Sequence, residues 1–367
     1  MKRKRIKKEG ERMLHVQGQH LVNTTGDVVR LRGFTLTALY WEPTQVVTEL
    51  YPTDEPYRVM REVGANVVRL TFHARLIERE PFVEETAGLE WLDRQLDFAQ
   101  TNGLYVILCL ILPPGADWMD DRPEPDYSLW SDLSKQERFR WIWRTLLTRY
   151  KGTTRGEAIA AFDLFNAPAT IDGTGEAYRQ LLQTTVDELY ALDSRRIFIV
   201  APCYGTNGMK HDDLSREWIL LDNPNVMYDL HFYDPFSYTH QYAEWVGVHE
   251  EGGVYPDRSL LESTLEGDMP RDQSYLARQL EPLLHLRVMH EVPIFISEFG
   301  LIHHCFEDGR GGLAYVNDFI ILLNEAGIGF TYWDFQSTVM GLFRSDARLS
   351  LMQSDLQPDL ALTLFKT

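Results

Sequence analysis

The chain reads as an α/β protein built as a (β/α)8 TIM barrel with a short N-terminal β-hairpin. Three observations carry that expectation. Strand-length apolar runs recur eight times along 367 residues, and helix-length stretches separate most of them. No glycine-rich phosphate loop follows the first run, as one normally would in the rival architecture, an open doubly wound sheet. Gly33-Phe34-Thr35 stands there instead.

The elements follow in order. Leu14-His15-Val16 and His20-Leu21-Val22 flank Gln17-Gly18-Gln19, which predicts a hairpin plugging the bottom of the barrel. After a turn at 23–27, residues 28–34 are the expected first barrel strand. A short helix from Glu55 ends at Gly64, and residues 66–71 form the second strand. Leu89, Leu92, Leu96 and Ala99 make a helical stripe closed by Gly103, and the apolar run 104–110 is the third strand. Ser134 and Glu137 read as a capping box opening a helix that buries Phe139, Ile142, Trp143, Leu146, Leu147 and Tyr150.

Residues 158–165 are expected as the fourth strand, buried on both faces and ended by Pro168. A helix at 176–192 leads to the fifth strand at 197–201, and the sixth lies at 226–230. The segment 234–272 exceeds a simple connection, and an insertion at a barrel mouth shapes substrate choice. A helix around 273–291, a strand at 293–297, a helix at 313–326 capped by Gly327 and a last strand at 329–333 complete the alternation.

Composition narrows the function. With 44% hydrophobic and 25% charged residues the chain can build a substantial core, and a net charge of -18 repels nucleic acid from most of the surface. Residues 1–13 are the exception, with seven Lys or Arg against two Glu. They are expected to be a disordered basic tail, residues 14–367 forming one domain. No apolar h-region follows them and no membrane span is expected, so the location is cytoplasmic, or secreted if a leader has been removed. Cys109, Cys203 and Cys305 show no metal spacing and fit a reducing compartment. Asn23-Thr24-Thr25 would matter only in a eukaryotic secretory pathway. Oligomeric state is not legible.

In a parallel barrel the chemistry sits at the C-terminal strand ends. Those ends present Arg69, Asn166, His231 with Tyr233, Glu298, and Trp333. Such residues orient a polyhydroxyl ring and stack against it, around one carboxylate. Glu298, in Ile296-Ser297-Glu298-Phe299-Gly300, is either an ion-pair partner that only holds the barrel mouth together with Arg69, or a nucleophile for an anomeric carbon. The second role needs an ionised carboxylate, its pKa kept low by donors such as Tyr233 and Arg69. Trp41, Trp118 and Trp245 follow the first, third and sixth strands and read either as sugar-stacking platforms or as loop packing. His303, His304 and Cys305 could with His231 bind zinc, but adjacent residues rarely hold one ion. Neither a metal nor a cofactor is expected.

These motifs together resemble glycoside hydrolase family 5, the cellulase-like group of retaining-glycosidase barrels. The resemblance runs from the hairpin at Leu14 through Leu31-Arg32-Gly33-Phe34, 66–70, 162–168, His231-Phe232-Tyr233 and 296–300 to Tyr332-Trp333-Asp334. It implies Glu298 as nucleophile supported by Arg69, Asn166 bonding the sugar 2-hydroxyl, His231 and Tyr233 positioning carboxylates, and Trp333 as stacking floor. It also implies a β-linked gluco- or manno-configured oligosaccharide or polysaccharide as partner. Two positions depart from the family pattern: Asn166-Ala167-Pro168 replaces Asn-Glu-Pro, removing the general acid/base, and Ile111 stands where histidine is common.

Retaining hydrolysis uses two carboxyl groups about 5–5.5 Å apart. With Ala167 in place of one, hydrolysis of natural glycosides is expected to be very slow or absent while binding persists. Asp163 lies an even number of residues away but about 13 Å down an ideal strand, where it anchors the interior; Asp172 is a weak substitute. Ala167 is either a deliberate Glu-to-Ala change or the mark of a natural carbohydrate-binding pseudoenzyme. A metal-dependent barrel enzyme using Glu298 and the histidines is the more distant alternative.

Overall fold

The structure is a computed structural model and describes residues 13–38, 46–116, 126–170, 174–205, 218–264 and 266–366. The expected basic tail lies outside them but for Met13, as do Trp41, Trp118 and Asp172.

Eight parallel strands close into a barrel, in chain order Arg32–Ala38, Val67–His73, Tyr105–Leu112, Ile159–Asp163, Phe198–Val200, Val226–His231, Ile294–Phe299 and Gly329–Tyr332. The eighth pairs with the first through Phe330 to Arg32, Thr331 to Gly33 and Tyr332 to Phe34. Gly33 is required there, because a Cβ would lie 1.8 Å from the Val67 carbonyl oxygen. Helices Glu55–Val63, Thr86–Thr101, Leu133–Tyr150, Glu176–Leu192, Gln273–His290, Gly312–Ala326 and Pro358–Leu364 pack outside. After the fifth strand no helix is present among the described residues.

The barrel interior is layered. At the bottom Leu31, Val67, Ile107, Ala161, Ile199, Met227 and Phe295 form one apolar cluster, sealed by Leu14 and Leu21 of the hairpin Leu14–Gln17/His20–Asn23. Burying each large member contributes roughly 1.5–3 kcal/mol. One alternation higher, Arg69, Asp163, Asp229 and Ser297 are fully buried polar groups. The outward positions Phe34, Leu36, Val68, Leu70 and Phe72 join the surrounding core instead.

Three local readings are corrected. The first barrel strand begins at Arg32, since Val28 makes only an isolated bridge to Val22 of the hairpin. The fourth strand ends at Asp163 rather than 165: Phe165 stacks on Trp130 at 5.9 Å, on the outside, which breaks the alternation before Pro168 is reached. The helix Leu133–Tyr150 is capped by Asp132, whose carboxylate accepts from the backbone N–H of Ser134 and Lys135, while Glu137 pairs with Arg140 and Arg144. The capping box fails because Asp132, two residues earlier, is as good a cap as Ser134.

The long segment after the sixth strand contains the antiparallel hairpin Asp257–Thr264/Gly267–Arg271. Arg271, 2% exposed, ties it down by pairing with Glu262, bonding the Gly252 carbonyl and lying over the Tyr238 ring. Among the described residues no helix is long and apolar enough to cross a membrane.

Candidate active site

Strict alternation along the seventh strand would turn Glu298 away from the interior, because Phe295 and Ser297 already face it. A bulge corrects this. Leu230 pairs with Ile296 but His231 pairs with Glu298, so one extra residue is accommodated on the seventh strand. Ser297 then reaches Asp229 at 2.6 Å while Glu298 also turns inward. Bulges re-aim side chains in this way.

Arg69 is the hub. Its Nε donates to Asp163 Oδ2 at 2.8 Å, Nη1 to Glu298 Oε1 at 2.8 Å, and Nη2 to Asn166 Oδ1 at 2.6 Å and Cys109 Sγ at 3.1 Å. Tyr233 Oη donates to Glu298 Oε2 at 3.0 Å, and His231 Nδ1 lies 3.3 Å from the same oxygen. The other His231 nitrogen is 3.5 Å from Asp229 Oδ2 but poorly aligned, and has no hydrogen-bond partner among the described residues. Asn166 spends its oxygen on Arg69, which leaves the amide NH2 as the group that can donate to a ligand.

One permanent cation serves several buried carboxyls. Burial raises the Glu298 pKa; Arg69 and Tyr233 oppose that rise without cancelling it. The expectation that these donors hold it low is therefore corrected: desolvation is the larger effect in a site this enclosed. Burial likewise raises Asp163, against the pull of Arg69, and lifts Asp229 to about 7. His231 is pushed well below its ordinary range by burial and then by Arg69, and is a neutral ring. Burial pushes the Cys109 thiol up, so it is not a nucleophile.

Two further contacts complete the site. Trp333 packs on Ile111 and Leu112, so the isoleucine at the expected histidine position extends an apolar wall. Ala167, 1% exposed and with a left-handed φ of 41°, forms a small cluster with Ala169 against which Tyr127 packs.

The profile of the cellulase family, glycosyl hydrolase family 5, matches residues 22–338. The chain belongs to glycosyl hydrolase family 5. Endoglucanase C of Acetivibrio thermocellus is 26% identical over 319 residues, 82% of this chain and 88% of that protein. A beta-xylosidase of Phanerodontia chrysosporium is 26% identical over 200 residues, 52% of this chain and 39% of its own. Among solved structures, Thermotoga maritima Cel5A in complex with mannotriose superposes with a TM-score of 0.68 at 21% identity, covering 92% of this chain and 97% of that one. The cellulose synthase subunit Z of Clostridioides difficile superposes at 0.69 and 17% identity, covering 92% and 100%. At such identities these two show the fold.

Within this family 5 glycoside hydrolase, Arg69, Asn166, His231, Tyr233 and Glu298 form one bonded constellation. Trp245 does not join it: its ring is 54% exposed, on the short turn Glu244–Val246 of the insertion. Nor do His303, His304 and Cys305 converge. His303 contacts the Gly341 carbonyl, His304 pairs with Glu307, and Cys305 is buried against Tyr238 and Gln241. No group of three potential metal ligands comes together among the described residues.

Sequence reasoning missed Asp229 and Asp334. Asp229 was findable, since it lies two residues before His231 on the same strand face. Asp334 follows Trp333 and is buried, with Thr37 Oγ1 3.5 Å from its Oδ2 and its Oδ1 without a partner among the described residues; burial lifts its pKa to about 7.

Proposed function

We propose that this chain binds β-linked gluco- or manno-configured oligosaccharides and carries Glu298 as the nucleophile of a retaining mechanism. One observation carries the reading: the inward-turned Glu298 carboxylate is held on both oxygens, by Arg69 on one and by Tyr233 and His231 on the other. Such a carboxylate has fixed direction and, once ionised, a lone pair for the anomeric carbon. Asn166, its oxygen held by Arg69, keeps its NH2 for the sugar 2-hydroxyl, and Trp333, backed by Ile111 and Leu112, serves as the stacking floor in this reading. The β-glucan preference rests on the name of the endoglucanase relative.

Ala167 occupies the acid/base position of this scheme. General acid/base assistance is worth roughly 10²- to 10⁴-fold, so hydrolysis of unactivated glycosides is depressed by at least that order. Ala167→Glu tests the reading: turnover of cellulo- or manno-oligosaccharides should rise by two orders of magnitude or more. A correctly folded Ala167→Glu protein that binds these sugars and leaves them intact would instead favour the second reading, a carbohydrate-binding barrel without hydrolysis. The apolar Ile111–Trp333 wall supports that alternative.

A further inference from the structure

We propose that Asp229 is the positioning residue of the nucleophile: its carboxyl holds Ser297, the extra residue of the seventh strand, in the bulge that turns Glu298 into the cleft. The proposal deepens the reading above and rests on Glu298 being the nucleophile.

Ser297 stands between Ile296, which pairs with Leu230, and Glu298, which pairs with His231, so it has no counterpart of its own on the sixth strand. An extra residue in a ladder is left unpaired, and a buried backbone N–H without an acceptor is costly. Ser297 is fully buried, so bulk water does not supply that acceptor. Asp229 does. Its Oδ1 accepts the Ser297 N–H at 2.9 Å, and its Oδ2 accepts the Ser297 Oγ–H at 2.6 Å. The Ser297 carbonyl accepts from Thr331 Oγ1 of the eighth strand. The bulged residue is thus fixed by side chains of the strands on both sides. Beyond it the backbone pairing resumes at once, with the Glu298 carbonyl accepting from the Phe232 N–H at 2.8 Å.

Asp229 is not there to balance charge. Arg69 bonds Asp163, Glu298, Asn166 and Cys109, and none of its nitrogens bonds Asp229. His231 Nε2, 3.5 Å from Asp229 Oδ2, is poorly aligned. Among the described residues the two Ser297 donors are the hydrogen bonds that Asp229 receives. A fully buried carboxyl with no cation bonded to it is expensive to keep, and an apolar side chain of similar volume would pack at lower cost. What the carboxyl supplies in return is a pair of acceptors aimed at the N–H and O–H of one residue.

The consequence reaches the reacting atoms. Phe295 and Ser297 face the interior, so regular alternation would send Glu298 outward. Its carboxylate meets Arg69 at 2.8 Å and Tyr233 at 3.0 Å because the bulge reverses that direction. An error in the bulge is therefore an error in the aim of the nucleophile, and a displacement of about 1 Å can cost roughly a hundredfold in rate. Asp229 touches neither sugar nor anomeric carbon in this scheme; it acts through Ser297.

The test is the rate at which 2,4-dinitrophenyl 2-deoxy-2-fluoro-β-cellobioside labels Glu298, followed by mass spectrometry over a range of reagent concentrations. Its leaving group departs without a proton, so Ala167 does not limit this step. The unmodified chain is compared with Asp229→Ala, Asp229→Asn and Ser297→Ala, and circular dichroism reports folding. Asp229→Ala should lower the labelling rate at saturation by about tenfold or more and leave the half-saturating concentration within about threefold, since the sugar contacts stay while the nucleophile is misdirected. Asp229→Asn should bring the rate back to within about threefold of the unmodified chain, because its carbonyl accepts the Ser297 N–H and its NH2 donates to Ser297 Oγ. Equal rates for the unmodified chain and Asp229→Ala, or an Asp229→Asn protein as slow as Asp229→Ala, overturn the role of Asp229 alone. If Asp229→Ala does not fold, Ser297→Ala decides. That variant loses only the hydroxyl bond to Asp229 and should label more slowly by about threefold or more, and an unchanged rate overturns the proposal. No adduct on the unmodified chain overturns the nucleophile reading and the proposal with it.

Discussion

Arg69→Met removes the one cation of the buried belt while preserving much of the side chain's length. Four hydrogen bonds go with it, and Asp163 and Glu298, each 2.8 Å from the guanidinium, lose their counter-charge. Removing one partner of a buried pair costs roughly 3–5 kcal/mol, because the other charge stays desolvated. That is a large share of the roughly 5–15 kcal/mol by which folded proteins are stable. In a chain of 367 residues it corresponds to about 4–6 °C in unfolding midpoint, from an unfolding entropy of about 2 cal/mol/K per residue. The loss must depend on pH. Arg69 is the main influence lowering Glu298, so its removal sends that carboxyl further up from a value burial has already raised. A carboxyl with a folded pKa above its unfolded value binds more protons when folded, and its stability contribution declines as pH rises. The deficit of Arg69→Met should therefore be larger at pH 8 than at pH 5, by about 1.4 kcal/mol per pH unit for each carboxyl titrating in that window. Chemical denaturation of both proteins at the two pH values provides the measurement. A deficit under about 1 kcal/mol at pH 8, or one equal at both pH values, would refute the account of Arg69 as the charge that permits this belt to be buried.

Other outcomes follow from the same geometry. Asp229→Asn should gain stability relative to the unmodified chain as pH rises from 5 to 7.5, because Asp229 is held near 7 when folded and titrates lower when unfolded; denaturation at several pH values checks the slope. With Glu298 as the proposed nucleophile, its glycosylation by a dinitrophenyl glycoside should show an acid limb above the ordinary carboxylate range, since that carboxyl must ionise against burial; a limb near 4 would contradict the desolvation argument. Gly300→Ala places a Cβ 2.2 Å from the Trp333 carbonyl oxygen, and should cost about 1–3 kcal/mol and weaken oligosaccharide binding, read by calorimetry. Chelators should leave both binding and turnover unaltered, since the histidines after Glu298 face separate partners; a loss reversed by added zinc would restore the metal-dependent alternative.

The barrel was legible because its signal is repetition: eight apolar runs at intervals fix strand number and order even where single ends are misjudged. The ends failed where the chain leaves regular geometry. Phe165 turns outward beside Trp130, so counting residues from Asp163 to Ala167 along an ideal strand does not describe how the two sit. Glu298 was found from its company, yet the bulge that turns it inward leaves no trace in hydrophobicity. The direction of its pKa shift was misjudged because donors can be named from sequence whereas the depth of burial cannot.

The backbone at Ala167 has a further consequence. Its left-handed turn is disfavoured for any residue with a Cβ, and to a similar degree for alanine as for glutamate. The backbone turn is therefore no bar to exchange between the two, and each alanine codon ending in a purine lies one base from a glutamate codon. On the function proposed above, a lineage carrying this barrel passes between holding an oligosaccharide and cutting it by a single mutation in either direction, with Arg69, Asn166 and Glu298 already in place.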